Sequence, residues 1–216
     1  SSVLGKAGTA PPSERVTQGH IGVGNRGGYL FNAAQTGTGI QSRAVADCYE
    51  NRREKVAAKV QGQAYADFRQ LLDRNDVDGV IIATPDHWHV PIALMAARAG
   101  KDAYVEKPLG LTLEQNVICQ EVFEQQRIFQ YGTQQREAKH QQFGQELVRS
   151  GKLGTLKAIE VKAPNGGAGG SVAEADIPSG FDYNMWLGPA PMVPYSVDRC
   201  RPQGTYWIYD YSIGYL

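Results

Sequence analysis

The chain has 216 residues, and its 22 basic and 22 acidic side chains cancel to a formal net charge of zero, which argues against a surface built to neutralise nucleic-acid phosphates. Hydrophobic residues make up 42%; a chain of this length and composition can bury a core, and wholesale disorder is excluded. No apolar run approaches the roughly 18–20 residues needed to span a bilayer, and the three scattered cysteines, Cys48, Cys119 and Cys200, offer neither a disulfide framework nor a Cys-x-x-Cys metal pair.

The chain opens at Ser1 without a methionine, and residues 1–15 read as a flexible N-terminal tail, small and Pro/Gly-rich from Ser1 to Ser13. No signal peptide is visible, so the compartment stays open: cytoplasmic, or exported if an upstream signal was removed. The first strand is expected around His20 to Val23, running into Gly22, Gly24 and Gly27, with a helix from Arg26 to about Gln35. A second strand is expected over Arg43 to Asp47, then a charged helix from about Asn51 to Val60. Tyr65 to Asp67 suits a short strand or turn, and Phe68, Leu71 and Leu72 give a short amphipathic helix. Gly79 to Ala83 is a continuous apolar run of the kind covered on both faces.

A helix rich in Ala, Leu and Met follows from His89 to Ala99, then a strand from Ala103 to Val105. Thr112, with Gln115 three positions on, opens a further helix to about Gln126 in a capping-box pattern. Ile128 to Tyr131 gives one more strand, and Arg136 to Arg149 a last helix. This alternation predicts an α/β fold, a Rossmann-type doubly wound parallel sheet over residues 16–150. From residue 151 the character changes to an incomplete α+β domain. Leu156 to Val161 alternates as a half-solvated strand, Asn165 to Ser171 is a Gly-rich connector, and an aromatic, Pro-rich stretch with little helical pattern runs through Trp207. Leu216 arrives before a second sheet could close, so the chain reads as truncated.

Three motifs carry chemistry. Gly22-Val23-Gly24-Asn25-Arg26-Gly27 matches G-x-G-x-x-G after a strand and at the start of a helix. Its glycines serve a tight turn, close approach to a pyrophosphate and helix–strand packing, while the helix start offers free N–H groups. Asp47 lies 20 residues beyond Gly27, placed to accept hydrogen bonds from the adenosine ribose; it favours NAD, because an acid there repels the 2′-phosphate of NADP. Arg52 and Arg53 complicate that preference unless they are a solvated helix face.

The second motif, Thr84-Pro85-Asp86-His87-Trp88-His89, falls at the carboxyl end of a strand, where open parallel sheets hold ligands. Thr84, Pro85, His87 and His89 are cofactor-binding candidates there; the histidines bind cofactor or substrate or merely cap the following helix, and for His87 an exposed, ligand-facing role is the favoured reading. Two histidines without further ligands at suitable spacing make no zinc site, so no metal is expected. The third motif is Glu106-Lys107-Pro108 at the next strand end. An ammonium is costly to bury without partners. Lys107 either pairs with Glu106 or snorkels, or it hydrogen-bonds a substrate hydroxyl and performs acid/base work.

With these motifs in this order, the chain resembles the Gfo/Idh/MocA family, named for glucose-fructose oxidoreductase and inositol dehydrogenase. The resemblance covers nearly all of residues 16–216 and is most specific in GVGNRG, TPDHWH, AGKDAYVEKP and WLGPAP. It implies an NAD(P)-dependent oxidoreductase in which Lys107, with Glu106 beside it, is catalytic and close to the nicotinamide, and in which His89 matches the histidine of a T-P-N-x-x-H loop. It also implies a C-terminal domain with a large open sheet that holds a sugar-like substrate and builds a homo-oligomer in the full-length protein. A further catalytic histidine of that family, in a D-x-x-x-H segment, has no counterpart before Leu216, and His140 does not match it. Activity of the fragment is therefore in question.

The aromatic stretches Phe181 to Trp186 and Tyr206 to Tyr211 either stack on a sugar or simply pack; Asp182, Trp186 and Arg201 are the substrate candidates. Three functions stand open: a dehydrogenase of sugars, polyols or glycosides; a glycoside hydrolase that oxidises its substrate transiently with held NAD; and a non-catalytic nucleotide-binding protein.

Overall fold

The computed structural model describes residue 11 and residues 14–163, 165 and 173–214. The expected tail therefore lies outside the described residues except for Pro11, Glu14 and Arg15, and so does the expected Gly-rich connector except for Asn165. Six strands form one sheet: β1 (Val16–Ile21), β2 (Ile40–Ala46), β3 (Gln63–Tyr65), β4 (Gly79–Ile82), β5 (Asp102–Glu106) and β6 (Phe129–Gly132). Their spatial order is β3-β2-β1-β4-β5-β6, and every neighbouring pair is parallel. The chain winds outward from β1 to β3 and then returns to β4, so the winding direction reverses between β1 and β4. In such sheets a crevice opens at that point, outside the strand carboxyl ends.

Parallel neighbours require crossovers, supplied by α1 (Asn25–Ala34), α2 (Glu50–Val60), α3 (Phe68–Leu72), α4 (Asp86–Arg98) and α5 (Leu113–Gln126). Strand alternation divides the core between the two faces. In β2, Val45 packs with Val23, Phe31, Val56 and Ala57 beneath α1 and α2, while Ala44 and Ala46 join the larger cluster of Leu71, Ile82, Ile92 and Val105. The Thr112 hydroxyl caps α5 by accepting from the Gln115 N–H at 3.2 Å, and the Gln115 side chain accepts from the Leu111 N–H at 2.9 Å. The cap reciprocates one residue earlier than a standard capping box would.

Two boundaries differ from expectation. The Ala-rich helix α4 begins at Asp86, so Asp86 to His89 are its first turn and not a loop. The last helix of this region splits into a 3-10 turn, Gln134–Glu137, and α6 (Lys139–Arg149). Residues 156–161 form no strand and are exposed. Their alternation marks which side chains would share a face, but a strand exists only with a neighbour to pair its backbone, and none of the described residues pairs with them.

Residues 173–214 instead lie against the carboxyl end of the sheet, with two short helices that the sequence pattern did not suggest, α7 (Tyr183–Leu187) and α8 (Pro202–Thr205). Phe181 stacks on Tyr49 at 4.0 Å and Asp182 N–H donates to Cys48 O. Phe181, Tyr183, Trp186, Leu187, Tyr195 and Tyr211 form a cluster of their own. Packing is thus the fate of most of these aromatic rings.

His20, in the central strand, is 1% exposed, with Nε2 2.8 Å from Ser42 Oγ. Burial lowers its pKa from 6.5 to about 4. Between those values the unfolded chain takes up a proton that the folded chain refuses, so stability is complete above pH 6.5 and falls as the pH drops toward 4. The expected loss is roughly 3 kcal/mol across that window. Urea denaturation at pH 7, 6, 5 and 4.5 measures it, and in a His20→Asn variant the slope should flatten.

Candidate functional site

A cavity of about 470 Å³ occupies the crevice at the carboxyl ends of β1, β2 and β4. Gly22 leaves β1 at φ +79, and a Cβ there would sit 2.9 Å from the Ala83 and Thr84 backbone. A Cβ on Gly27 would lie 1.8 Å from the Gly22 carbonyl oxygen. These two glycines let α1 close onto β1 and β4. Gly24 differs, since its nearest obstacle is Arg52 Nη1 at 3.4 Å. It is the N-cap of α1, has no side chain to cap with, and lines the cavity together with Asn25 and Arg26. The first-turn N–H groups are thereby left for an anion.

Asp47 follows β2 and lines the same cavity. Its carboxylate accepts from the Val23 N–H at 2.8 Å and the Tyr49 N–H at 2.9 Å. Burial pushes its pKa up, opposed by these two N–H groups and by Arg52 and Arg53. Two lone-pair positions remain for further donors. Arg53 donates to the Asp47 carbonyl at 3.4 Å and sits near Glu50 and Glu54. Arg52 lies 3.8 Å over the Tyr49 ring and lines the cavity. The guanidinium–Tyr49–Phe181 stack was not legible in the sequence, because Phe181 arrives from far along the chain.

At the end of β4, Thr84 and Pro85 line the cavity, and the buried Thr84 Oγ1 has no hydrogen-bond partner among the described residues. Such an atom in a cavity wall suits a bound ligand. A glycine turn without steric room for Cβ, uncapped helix N–H groups, a ribose-side acid and an unpaired hydroxyl together fit a dinucleotide.

The structure corrects the exposed position expected for His87. It is 2% exposed, with Nε2 3.0 Å from the Trp186 carbonyl and its ring against Trp186 and Tyr211. Burial lowers its pKa. His89 is 1% exposed and likewise does not line the cavity; Nδ1 lies 2.6 Å from Pro108 O and Nε2 2.8 Å from Thr84 O. The motif residues that face the cavity from α4 are Asp86 and Trp88, which sequence reasoning passed over. Trp88 Nε1 donates to the Met185 carbonyl at 2.9 Å. Asp86 accepts from the Ser212 hydroxyl at 2.5 Å; burial raises its pKa, against the pull of Ser212, His89 and Lys107.

Glu106, at the end of β5, is 2% exposed and pairs with Arg26 of α1, so it is not available to Lys107 Nζ. Its other oxygen accepts the Lys107 main-chain N–H at 2.8 Å. The Lys107 side chain is exposed, and its ammonium has no hydrogen-bond or ion-pair partner among the described residues. Of the three substrate candidates, Trp186 lines the cavity. Asp182 instead caps α7 by accepting from the Met185 N–H, and Arg201 pairs with Asp198 at 3.4 Å in an exposed position. Among the described residues no group of three or more His, Cys, Asp or Glu could hold a metal, and no helix is long and apolar enough to cross a membrane.

The sequence model of an oxidoreductase family with an NAD-binding Rossmann fold matches residues 16–133, and that of the family's C-terminal alpha/beta domain matches residues 157–216. An alpha-N-acetylgalactosaminidase of Shewanella oneidensis is 38% identical over 118 residues, which is 49% of this chain and 25% of that protein. A glycosyl hydrolase family 109 protein of Shewanella putrefaciens is 35% identical over 116 residues, with the same coverage. Among solved structures, scyllo-inositol dehydrogenase from Lactobacillus casei with bound NAD(H) and scyllo-inositol superposes with a TM-score of 0.60 at 25% identity, over 65% of this chain and 42% of that one. The chain thus spans about a quarter of these curated relatives and under half of that dehydrogenase.

Proposed function

This chain belongs to the Gfo/Idh/MocA oxidoreductase family, and on that premise we propose that it passes a hydride between NAD and a hydroxyl-bearing carbon of a sugar, polyol or glycoside. The observation that carries the proposal is the pairing of an uncapped α1 start at Gly24 with Asp47 on one cavity wall. The diphosphate would rest on the first-turn N–H groups, and Asp47 would receive the ribose hydroxyls. When bound, the coenzyme supplies the redox chemistry by accepting or returning a hydride at its nicotinamide ring. The protein orients the partners: Lys107 at the end of β5 hydrogen-bonds the reacting hydroxyl and exchanges its proton, while Glu106 fixes the Lys107 backbone. Residues from 151 onward would begin the domain that holds substrate and joins subunits in the full-length protein.

Calorimetric titration with NAD and NADP tests the coenzyme site. NAD should bind at least about 10-fold tighter, because the Asp47 carboxylate repels a 2′-phosphate, and Asp47→Ser should narrow that gap. Absence of saturable binding by oxidised or reduced coenzyme would remove the proposal. A sugar and polyol panel followed at the reduced-nicotinamide absorbance then tests turnover.

The identity to an alpha-N-acetylgalactosaminidase favours a second function, glycoside cleavage with transient oxidation of the substrate by retained NAD. Net consumption of added NAD separates the two. The dehydrogenase consumes it; the glycosidase does not.

A further inference from the structure

Asp86 to His89, the first turn of α4, bond to three segments of the chain. Asp86 holds Ser212, His87 and Trp88 hold the Trp186 carbonyl, and His89 reaches in the other direction, to Pro108. Of these four residues, His89 is the one hydrogen-bonded to the turn that carries Lys107. Its two ring nitrogens meet two main-chain carbonyl oxygens, Pro108 O at 2.6 Å and Thr84 O at 2.8 Å. A carbonyl oxygen only accepts, whereas a neutral imidazole has one N–H and one bare lone pair. A neutral ring would therefore press a lone pair against a carbonyl oxygen at hydrogen-bond distance, in a position 1% exposed where no water can intervene.

We propose that His89 is an imidazolium that donates from both nitrogens, and that it is a positioning residue which clamps the Lys107-Pro108 turn to the Thr84-Pro85 turn. The charged groups around it fit this arrangement. Asp86, one turn away on α4, is a buried acid whose pKa burial raises, against the pull of Ser212, which is bonded to it from the C-terminal segment, and of His89 and Lys107. Glu106, beside Lys107 on β5, is already neutralised by Arg26 of α1. His87, buried in the same turn, is held toward its neutral form by burial and by the charge of His89. The brace has a direct consequence for the site. It fixes the separation between the strand end that would present Lys107 to the reacting hydroxyl and the strand end where Thr84 lines the coenzyme cavity. The positioning role rests on the oxidoreductase assignment above; the protonation state does not.

The sequence has four histidines, so a nitrogen-15 imidazole spectrum of the wild-type chain is readily assigned through ring-to-backbone correlations. At pH 7, with and without NAD, the His89 ring should show protons on both nitrogens. One bare nitrogen on that ring would overturn the proposal, and no variant needs to fold for this outcome to be read. Hydrogen exchange then tests the clamp. In His89→Gln, the amides of residues 106, 107, 109 and 110 should exchange at least about 10-fold faster while those of β1 and β2 keep their rates. Unchanged exchange at those four amides would likewise overturn it. Failure of the wild-type chain to bind NAD would remove the oxidoreductase reading while leaving both of these readouts interpretable.

Discussion

Replacement of Lys107 by alanine lowers the rate of hydride transfer by about 10²–10⁴-fold, the usual contribution of a positioned acid or base, while NAD affinity changes less than about 10-fold. The separation of effects follows from where the side chain stands. Lys107 is not among the residues that line the coenzyme cavity, and its ammonium has no hydrogen-bond or ion-pair partner among the described residues, since the neighbouring Glu106 is taken by Arg26. Removing it deletes a proton carrier without opening a hole in the core, because the side chain is exposed. Lys107→Arg should fail nearly as badly, since a guanidinium does not release its proton in the accessible range. Stopped-flow measurement at the reduced-nicotinamide absorbance on the full-length protein, beside calorimetric NAD titration, checks both halves. Full turnover in Lys107→Ala would remove the residue from the chemistry.

The parts of the site that were legible in the sequence are those that the backbone dictates locally. Gly22 and Gly27 are required by a positive φ and by contacts too close for any Cβ, so the glycine spacing is itself a statement of geometry. The apolar run that became β4 could be read because a strand covered on both faces needs no polar alternation. The start of α4 is marked by Pro85 followed by Asp86, a sequence typical of a helix start. The roles of His87, and of His89 toward Pro108, had no local signal, because those partners lie at Trp186, Tyr211 and Pro108, and only the fold brings these carbonyls and rings to them. The strand expected at Leu156 to Val161 fails for the complementary reason. Alternation specifies a face, whereas pairing depends on a neighbour that the pattern itself does not name.

The two outer glycines of the first turn and the middle one should separate cleanly under mutation. In Gly27→Ala the new methyl meets the Gly22 carbonyl at 1.8 Å. Backbone cannot swing aside as a side chain can, so α1 must lift from β1 and β4. The expected cost is at or above the roughly 3 kcal/mol upper range for overpacked sites, with NAD binding lost because the first-turn N–H groups move with the helix. Gly24 sits at φ −66 and ψ −152, without the positive φ that reserves a position for glycine. Its nearest obstacle is the far end of a flexible arginine. Gly24→Ala should therefore melt within about 1 kcal/mol of the wild type, a change typical of a site without steric conflict. Its methyl nevertheless projects where a diphosphate must approach the backbone, and NAD affinity should fall at least about 10-fold, more so in Gly24→Val. Thermal denaturation and coenzyme titration on the same three proteins decide the matter. Wild-type affinity in both Gly24 variants would mean that the diphosphate does not rest on this turn, and the coenzyme would have to be placed elsewhere.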